Sequence, residues 1–189
     1  MAASEVDRRQ GEDAGGCLHY RNKCQILASC CESYYRCHRC HNEEREHLCG
    51  LLDRPSIRKV RCVECSHVQN PAEECSNCHV KFAEYVCLKC NLFRQAATES
   101  GLYHCSDCGI CRVGKGLGDG GSHWHCHSCC ACLPNSLDHV AHLKVCRAEA
   151  LKDNCAICFF NMHDSTEECV AAPYCGHYLH RYVAGKNMC

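Results

Sequence analysis

The sequence has too few large apolar residues to build a conventional hydrophobic core. Leu, Ile, Val and Phe together number 33 of the 189 residues, fewer than one in five, and there is only one Trp. A chain this poor in such residues does not order itself by apolar burial alone. The hydrophobic fraction of 46% is no counter-argument, because it includes the 26 cysteines. Another interaction must therefore hold the fold together.

The sequence also lacks long apolar runs. Residues 1–16, MAASEVDRRQGEDAGG, are polar and contain no apolar segment of a secretory signal, so we predict a disordered tail there. No run approaches the roughly 18 apolar residues of a membrane span, so we expect no membrane partner. These absences favour an intracellular protein, located in the nucleus, the cytoplasm or both.

Cysteine and histidine are abundant, with 26 and 15 residues. The spacing CxxC occurs nine times, at 37/40, 62/65, 75/78, 87/90, 105/108, 108/111, 126/129, 129/132 and 155/158. In a reducing compartment this spacing favours zinc over disulfides, which would not need the interleaved histidines. Structural zinc contributes about 10–16 kcal/mol per site in small peptides, enough to replace a missing core. We predict small zinc ribbons and knuckles with short β-hairpins, short helices and no large hydrophobic core.

Residues 17–80 contain twelve candidate ligands, enough for three tetrahedral zinc sites. A CxxC turn supplies two thiolates and needs two further ligands from elsewhere in the chain. The uninterrupted pattern at 62/65 and 75/78 predicts a four-cysteine site, and the other eight ligands form two interleaved sets. The predicted sets are Cys62, Cys65, Cys75 and Cys78; Cys17, His19, Cys37 and Cys40; and Cys30, Cys31, His41 and His47.

Residues 82–147 contain twelve more candidate ligands, which brings the expected number of zinc ions to six. His104 directly precedes Cys105, so their side chains point apart and are expected to serve different metals. The same holds for His125 and Cys126. The predicted sets are Cys87, Cys90, Cys105 and Cys108; His104, Cys111, Cys126 and Cys129; and His125, Cys132, His142 and Cys146.

One helix is predicted over residues 138–153, DHVAHLKVCRAEALKD, and it would place His142 and Cys146 on one face. His139 is a rival ligand, although a solvated helix histidine is the simpler interpretation. Trp124 is predicted to pack against a zinc knuckle. Three cysteines within residues 17–147 fall outside the sets and are expected to be buried or spare thiols, the first of them being an alternative ligand: Cys24, Cys49 and Cys130.

Several other functions are disfavoured. Residues 114–122, GKGLGDGGS, lack the Gly-Lys-Ser/Thr ending and the preceding apolar strand of a phosphate loop, which favours a flexible linker. Closed CxxC sites offer no open position for a catalytic water. Six zinc ions with 18 thiolates would take the formal charge from −1 to about −7. An acidic surface without a basic, aromatic-rich run argues against a nucleic-acid partner.

Two longer patterns resemble known zinc modules. The pattern CxHY…CC…CxxCH…H…CxxC…CxxC over residues 17–80 resembles the CHY-type zinc finger. Residues 82–147, which include YHCSDCGICR at 103–112, are similar to the CTCHY-type zinc finger. These modules follow one another in the RING finger and CHY zinc finger domain-containing family, whose members are zinc-binding E3 ubiquitin ligases. The resemblance covers about residues 17–180.

A RING-type zinc finger comes next in that family, and residues 155–189 resemble an incomplete one. The resemblance assigns five of the eight ligands: Cys155, Cys158, Cys175, His177 and His180. The sixth would stand at position 183, where this sequence has Val183, and the closing CxxC pair is absent before Cys189. In the family's cross-braced arrangement neither zinc site is then complete, unless Cys169 or Cys189 substitutes.

The resemblance implies a RING-type E3 ubiquitin transferase. Such a ligase forms no covalent intermediate; it holds a ubiquitin-charged conjugating enzyme so that a lysine of the protein substrate attacks the thioester. Ile157 would contact the conjugating enzyme, and the two amino-terminal zinc modules would bind the substrate. The alternative is a non-catalytic zinc scaffold that binds the same partners, because the RING is shortened.

Overall fold

The computed structural model of this chain describes residues 17, 19–95, 101–163, 165, 169–171 and 175–181, without the side chains of residues 46, 47 and 171. The predicted tail over 1–16, Val183, Cys189 and the side chain of His47 therefore lie outside the described residues. The chain divides into two compact units, Met1–Ala97 and Thr98–Cys189. The module boundaries at 17–80, 82–147 and 155–189 stay predictions.

The first unit contains a four-stranded antiparallel sheet with the order β2-β1-β3-β4. Its strands are β1 (Cys24–Ala28), β2 (Ser33–Tyr35), β3 (Val60–Cys62) and β4 (Val68–Gln69). Helix α1 (His38–Cys49) follows β2, and β5 (Tyr85–Cys87) forms a hairpin with β6 (Leu92–Arg94). The Sγ atom of Cys37 accepts the N–H of Cys40 at 3.5 Å, so a thiol lies at the start of α1.

A small core lies against this sheet. The side chains of β1 alternate, so that Cys24, Ile26 and Ala28 are buried on one face. Phe82 is fully buried, and its ring meets that of Phe93 edge to face at 6.1 Å. Burial raises the pKa of the Cys24 thiol, as expected for a cysteine that serves as a small apolar residue. Cysteines form a large share of this core, and the predicted fold class is confirmed.

The described residues of the second unit form three antiparallel hairpins and one helix. The hairpins pair β7 (Leu102–Cys105) with β8 (Ile110–Val113), β9 (His123–Cys126) with β10 (Ala131–Pro134), and β11 (Cys169–Ala171) with β12 (Tyr178–His180). Helix α2 (His139–Val145) lies between the second and third hairpins. In the described part of the chain, no helix is long and apolar enough to cross a membrane.

Helix α2 is shorter than the helix predicted over residues 138–153. It begins after Asp138, whose Oδ1 accepts the N–H of Ala141 at 2.6 Å, and it ends at Cys146 in an extended conformation. The segment beyond does not continue the helix because its backbone bonds elsewhere. The N–H of Glu149 donates to the carbonyl of Ser128 at 2.7 Å, and that of Leu151 to the carbonyl of Cys129 at 3.2 Å. Tertiary hydrogen bonds thus override a helix-forming sequence.

One core spans much of the second unit. Cys126 and Cys129 are buried together with Leu151, Cys155 and Tyr178. The segment predicted to be an incomplete RING therefore shares its core with the preceding hairpins, and burial raises the pKa of the Tyr178 hydroxyl. Separate folding of the two segments is not expected.

The glycine-rich segment 114–122 is an ordered loop rather than the predicted flexible linker. The N–H of Gly118 donates to the carbonyl of His123 at 3.0 Å, and that of Ser122 to the carbonyl of Gly116 at 3.1 Å. A Cβ atom on Gly114 would come within 2.5 Å of the His123 ring. The glycines permit this close packing.

Six CxxC turns share one local geometry. The residue directly after the second cysteine has a positive φ in each: Ser66, His79, Asn91, Gly109, Cys130 and Phe159. Its N–H donates back to the carbonyl of the first cysteine in several turns, for example from Phe159 to Cys155 at 2.8 Å. A non-glycine residue there costs about 1–3 kcal/mol, so the turn needs another interaction to hold it. Cys130, which belongs to none of the predicted ligand sets, occupies this position directly after Cys129.

We expect Phe82→Ala to destabilise the first unit by about 3–5 kcal/mol, because it removes a fully buried ring from a small core. Hydrogen exchange of the β1 amides in the zinc-loaded chain measures this. Leu88→Ala, at an exposed position of the same unit, is the control and should leave exchange unchanged. Equal protection in both variants would contradict this account of the core.

Candidate zinc centres

The sulfur atoms of the first predicted set lie at zinc distances. Cys37 Sγ is 3.6 Å from the Sγ atoms of both Cys17 and Cys40, and His19 Nδ1 is 3.5 Å from Cys40 Sγ. A disulfide requires about 2.05 Å. A tetrahedron with Zn–S bonds of about 2.3 Å has edges of about 3.8 Å. These four residues would therefore hold one zinc ion.

The predicted four-cysteine set also converges. Cys62 Sγ lies 3.7 Å from Cys78 Sγ, and Cys65 Sγ lies 3.5 Å from Cys75 Sγ. Hydrogen bonds from the Asn77 side chain and from the backbone lower the pKa of Cys65 to about 6. The thiolate is the form that binds a metal. The protein therefore favours the ligand form of this sulfur.

The second interleaved set contains one residue that the sequence did not indicate. Cys30, Cys31 and His41 lie together as predicted, with His41 Nε2 at 3.1 Å from Cys30 Sγ. The fourth residue of the group is Cys49, which was expected to be a buried or spare thiol. His47 was predicted for this position, and its side chain lies outside the described residues. Cys49 ends α1, about two turns beyond His41 on the same helix.

Two candidate histidine ligands of the first unit are oriented by neighbours. His19 Nε2 lies 2.8 Å from Glu43 Oε1, while Nδ1 faces the sulfurs. His41 Nδ1 lies 3.0 Å from Asn42 Oδ1, which also accepts the N–H of Leu52 at 2.9 Å. Outer partners of this kind fix the imidazole orientation at a metal and raise its basicity.

The first group of the second unit joins a knuckle to the next hairpin. His125 Nδ1 lies 3.6 Å from Cys105 Sγ, 3.4 Å from Cys108 Sγ and 3.8 Å from Cys132 Sγ. The Cys132 thiol and the nearby Arg112 guanidinium lower the pKa of Cys108 to about 4. His125 and Cys132 are direct partners across β9 and β10. A turn and a cross-strand pair together supply four ligands.

This arrangement corrects the predicted grouping in residues 82–147. Cys105 and Cys108 were expected to share a metal with Cys87 and Cys90, and Cys126 and Cys129 were expected to join His104 and Cys111. The structure pairs His104 with Cys111 across β7 and β8, and their Nδ1 and Sγ atoms are 3.9 Å apart. Cys87 and Cys90 lie buried in the β5–β6 hairpin of the first unit. Each of these two pairs offers two ligands.

The remaining ligands of this segment form a group around α2. His142 Nε2 lies 3.3 Å from Cys126 Sγ and 3.6 Å from Cys129 Sγ, and Cys146 Sγ lies 3.6 Å from Cys126 Sγ. His142 is buried, whereas His139 is exposed and contacts Trp124 at a centroid distance of 3.6 Å, with the two rings tilted by 44°. The Trp124 ring also meets His142 edge to face at 5.4 Å. His142 is thus the histidine placed for ligation. Trp124 packs against the buried cluster that contains Cys126 and Cys129, which agrees with its predicted packing against a zinc knuckle.

The RING-like segment brings three of its five predicted ligands together. His180 Nδ1 lies 3.1 Å from Cys158 Sγ, and the backbone of His180 hydrogen-bonds the Cys155 thiolate. Burial opposes ionisation of Cys155, but these hydrogen bonds lower its pKa to about 6. The other two predicted ligands are exposed before β12, and one contacts the Arg147 guanidinium: Cys175 and His177.

Comparison with known proteins agrees with this geometry. Residues 17–85 match the profile of the CHY zinc finger family. Those residues are therefore similar to a CHY zinc finger, and this name is used below for residues 17–85. The match covers all three ligand groups of the first unit that are described above. The expectation of several zinc ions and the resemblance noted in the sequence are thereby confirmed.

Relatives extend the similarity beyond the CHY zinc finger. The chain is 41% identical over 167 residues to a BRUTUS-like zinc finger protein of Arabidopsis thaliana, covering 87% of this chain and 12% of the relative. It is 38% identical to a RING finger protein of Schizosaccharomyces pombe, covering 88% and 37%. It is 37% identical to an E3 ubiquitin-protein ligase of Oryza sativa subsp. japonica, covering 87% and 60%. The chain thus spans between about a tenth and three fifths of these relatives.

We expect Cys49→Ser to remove one zinc ion from the CHY zinc finger, whereas His47→Ala should leave the zinc count unchanged. The reason is that Cys49 completes the group of Cys30, Cys31 and His41. Native mass spectrometry of the full chain counts the bound ions. Loss of zinc from the histidine variant alone would restore the ligand set predicted from the sequence.

We expect Glu43→Gln to weaken zinc binding at the His19 site about 10- to 100-fold, because His19 loses its carboxylate partner. Competition with a chromophoric chelator measures the affinity. Glu44→Gln is the matched control, since the Glu44 carboxylate contacts Arg45 instead. An equal effect of both substitutions would mean that general charge, and not imidazole orientation, is responsible.

Proposed function

We propose that this chain acts in ubiquitin transfer as part of a RING-type E3 ligase. The observation that carries the proposal is an exposed apolar surface on the Cys155–Cys158 knuckle. Ile157 is 36% exposed, Phe159 77% and Phe160 69%. Apolar side chains clustered on a rigid turn are typical of a protein-binding surface. The relatives named E3 ubiquitin-protein ligases support the choice of partner.

The knuckle geometry supports a docking function for this surface. The positive φ of Phe159 turns the chain directly after Cys158 and leaves the two phenylalanine side chains exposed. Such strain persists only where surrounding structure holds it. In the proposed function Ile157 contacts the ubiquitin-conjugating enzyme, as in the family that the chain resembles. The thioester carries the reacting bond, so this chain needs no nucleophile of its own.

The CHY zinc finger is the proposed site of substrate binding, together with the following module. Its described surface carries two exposed leucines close together in sequence, Leu48 at 73% and Leu51 at 69%. They lie at the end of α1, beside the ligand Cys49. Zinc would hold this end of the helix in place, which suits the surface to binding a protein substrate.

This proposal implies a cellular compartment for the protein and a fate for its substrate. Thiolates that bind zinc stay reduced in the nucleus and the cytoplasm, where ubiquitin transfer occurs. Ubiquitination by this ligase would direct its substrate to proteasomal degradation.

Discharge of a ubiquitin-charged conjugating enzyme onto free lysine tests the proposal. We expect Ile157→Ala to slow discharge at least about fivefold, because interface anchors typically contribute more than 1 kcal/mol. Leu117→Ala is a matched control in the same unit, since Leu117 is 37% exposed. Its discharge rate should equal that of the unaltered chain.

Two outcomes would go against the ligase. Discharge that the chain does not accelerate, with the conjugating enzyme still bound, would favour the non-catalytic zinc scaffold. Equal rates for the Ile157 variant and the Leu117 control would remove the knuckle surface from the mechanism.

A further inference from the structure

The last hairpin of the structure repeats a ligand arrangement found earlier in the chain. Cys169 and His180 are direct partners across β11 and β12. In the same way His125 faces Cys132 across β9 and β10, and His104 faces Cys111 across β7 and β8. Directly opposed residues of an antiparallel pair have Cβ atoms about 4.5–5.5 Å apart on one face of the hairpin. Each hairpin therefore presents one thiol and one imidazole side by side.

The knuckle that meets this hairpin is also repeated. In the turn at 105/108 the N–H of Gly109 donates to the carbonyl of Cys105 at 2.9 Å, and Phe159 donates to Cys155 at 2.8 Å. Both donors have a positive φ. The histidine approaches each turn through Nδ1, at 3.4 Å from Cys108 Sγ in one group and 3.1 Å from Cys158 Sγ in the other. The two sites therefore match in three elements: a cross-strand pair of cysteine and histidine, a CxxC turn closed by a residue with positive φ, and a histidine that approaches the turn through Nδ1.

We propose that Cys155, Cys158, Cys169 and His180 bind one zinc ion, with Cys169 as the fourth ligand. In the group at 105/108, the two cysteines of the turn converge with both residues of a cross-strand pair, His125 and Cys132. In the same arrangement, the turn at 155/158 would share a zinc ion with both residues of the pair Cys169 and His180. Cys169 thus substitutes for the ligand that the RING pattern places at position 183, where the chain has Val183. Three thiolates and one imidazole form a closed structural zinc site.

The burial of these residues fits a structural site. Cys155 and His180 are buried, and Cys169 is half-buried against the core that contains Met162 and Tyr178. Cys169 Sγ lies 3.8 Å from the carbonyl of Met162, which follows the knuckle. The partial exposure of Cys169 matches that of Cys132 in the earlier group. The sulfur is therefore on the knuckle side of the hairpin.

The other described ligands of the RING pattern are less well placed to complete this site. Side chains alternate along β12, so that Tyr178 and His180 are buried on one face while His177 is exposed. His177 also precedes His180 by three residues, about 10 Å of extended chain. Cys175 lies further still, in the exposed turn. Of these three residues, Cys169 is the one that the strand register places directly opposite His180.

This site deepens the proposed function, because its knuckle carries Ile157. Zinc at these four residues would hold the proposed docking surface without a ligand at position 183. The zinc site can nevertheless be tested without ubiquitin, so its failure and the failure of the ligase proposal are separable.

Native mass spectrometry of the zinc-loaded full chain tests the assignment. We expect Cys169→Ser to lose one zinc ion relative to the unaltered chain, and Cys175→Ser, the matched control in the same segment, to lose none. An unchanged count in Cys169→Ser would overturn the proposal, as would the loss of one ion from both variants.

Alkylation of the unaltered chain decides the case if Cys169→Ser loses more than one ion through misfolding. With zinc bound, we expect Cys155, Cys158 and Cys169 to resist a thiol reagent while Cys175 reacts. Titration with a chelator should then release the three protected thiols together. Reaction of Cys169 while Cys155 and Cys158 stay protected would show that Cys169 is not a ligand.

Discussion

The fold depends on holding four sulfur or imidazole donors at the edge lengths of a tetrahedron. The described apolar cores are small and contain many cysteines, so they cannot replace this interaction. Sulfur contacts of 3.5–3.7 Å recur in groups that belong to different hairpins and turns. Each zinc ion would tie separate segments of the chain together and would contribute folding free energy directly. Secondary structure serves mainly to aim the ligands.

Two local devices perform this aiming. A CxxC turn closes with a left-handed residue, and a hairpin places one cysteine beside one histidine. Neither device is stable alone, because the turn carries backbone strain and a two-stranded hairpin is marginal in water. Joined through a metal, they form a compact module. The same logic extends into the RING-like segment, where the hairpin and the knuckle pack on the core of the preceding zinc group.

Composition and spacing predicted the fold class, the metal and most of the residues that converge. They did not predict which turn meets which pair, since CxxC fixes a turn while partner choice depends on strand register. A signal was present: His104 and Cys111 are seven residues apart, and so are His125 and Cys132. Cys49 was not predicted, because its approach to His41 depends on the length of α1 rather than on a local ligand spacing. The end of α2 depends on hydrogen bonds from Glu149 and Leu151, which local propensity does not encode.

The interleaving of two ligand groups in the CHY zinc finger has a consequence for metal acquisition. Residues 17, 19, 37 and 40 form one group, and 30, 31, 41 and 49 the other, so each chain loop encloses ligands of its neighbour. When zinc binds the first group, it also brings the ligands of the second group closer together and so lowers the entropy cost of closing that loop. The reason is that Cys40 and His41 are adjacent on α1 and belong to different groups. Singly loaded molecules should therefore be scarce. During zinc starvation, most chains would then have either both of these groups occupied or neither. Protein quality control would act on the chains in which neither group holds zinc, because those chains are unfolded.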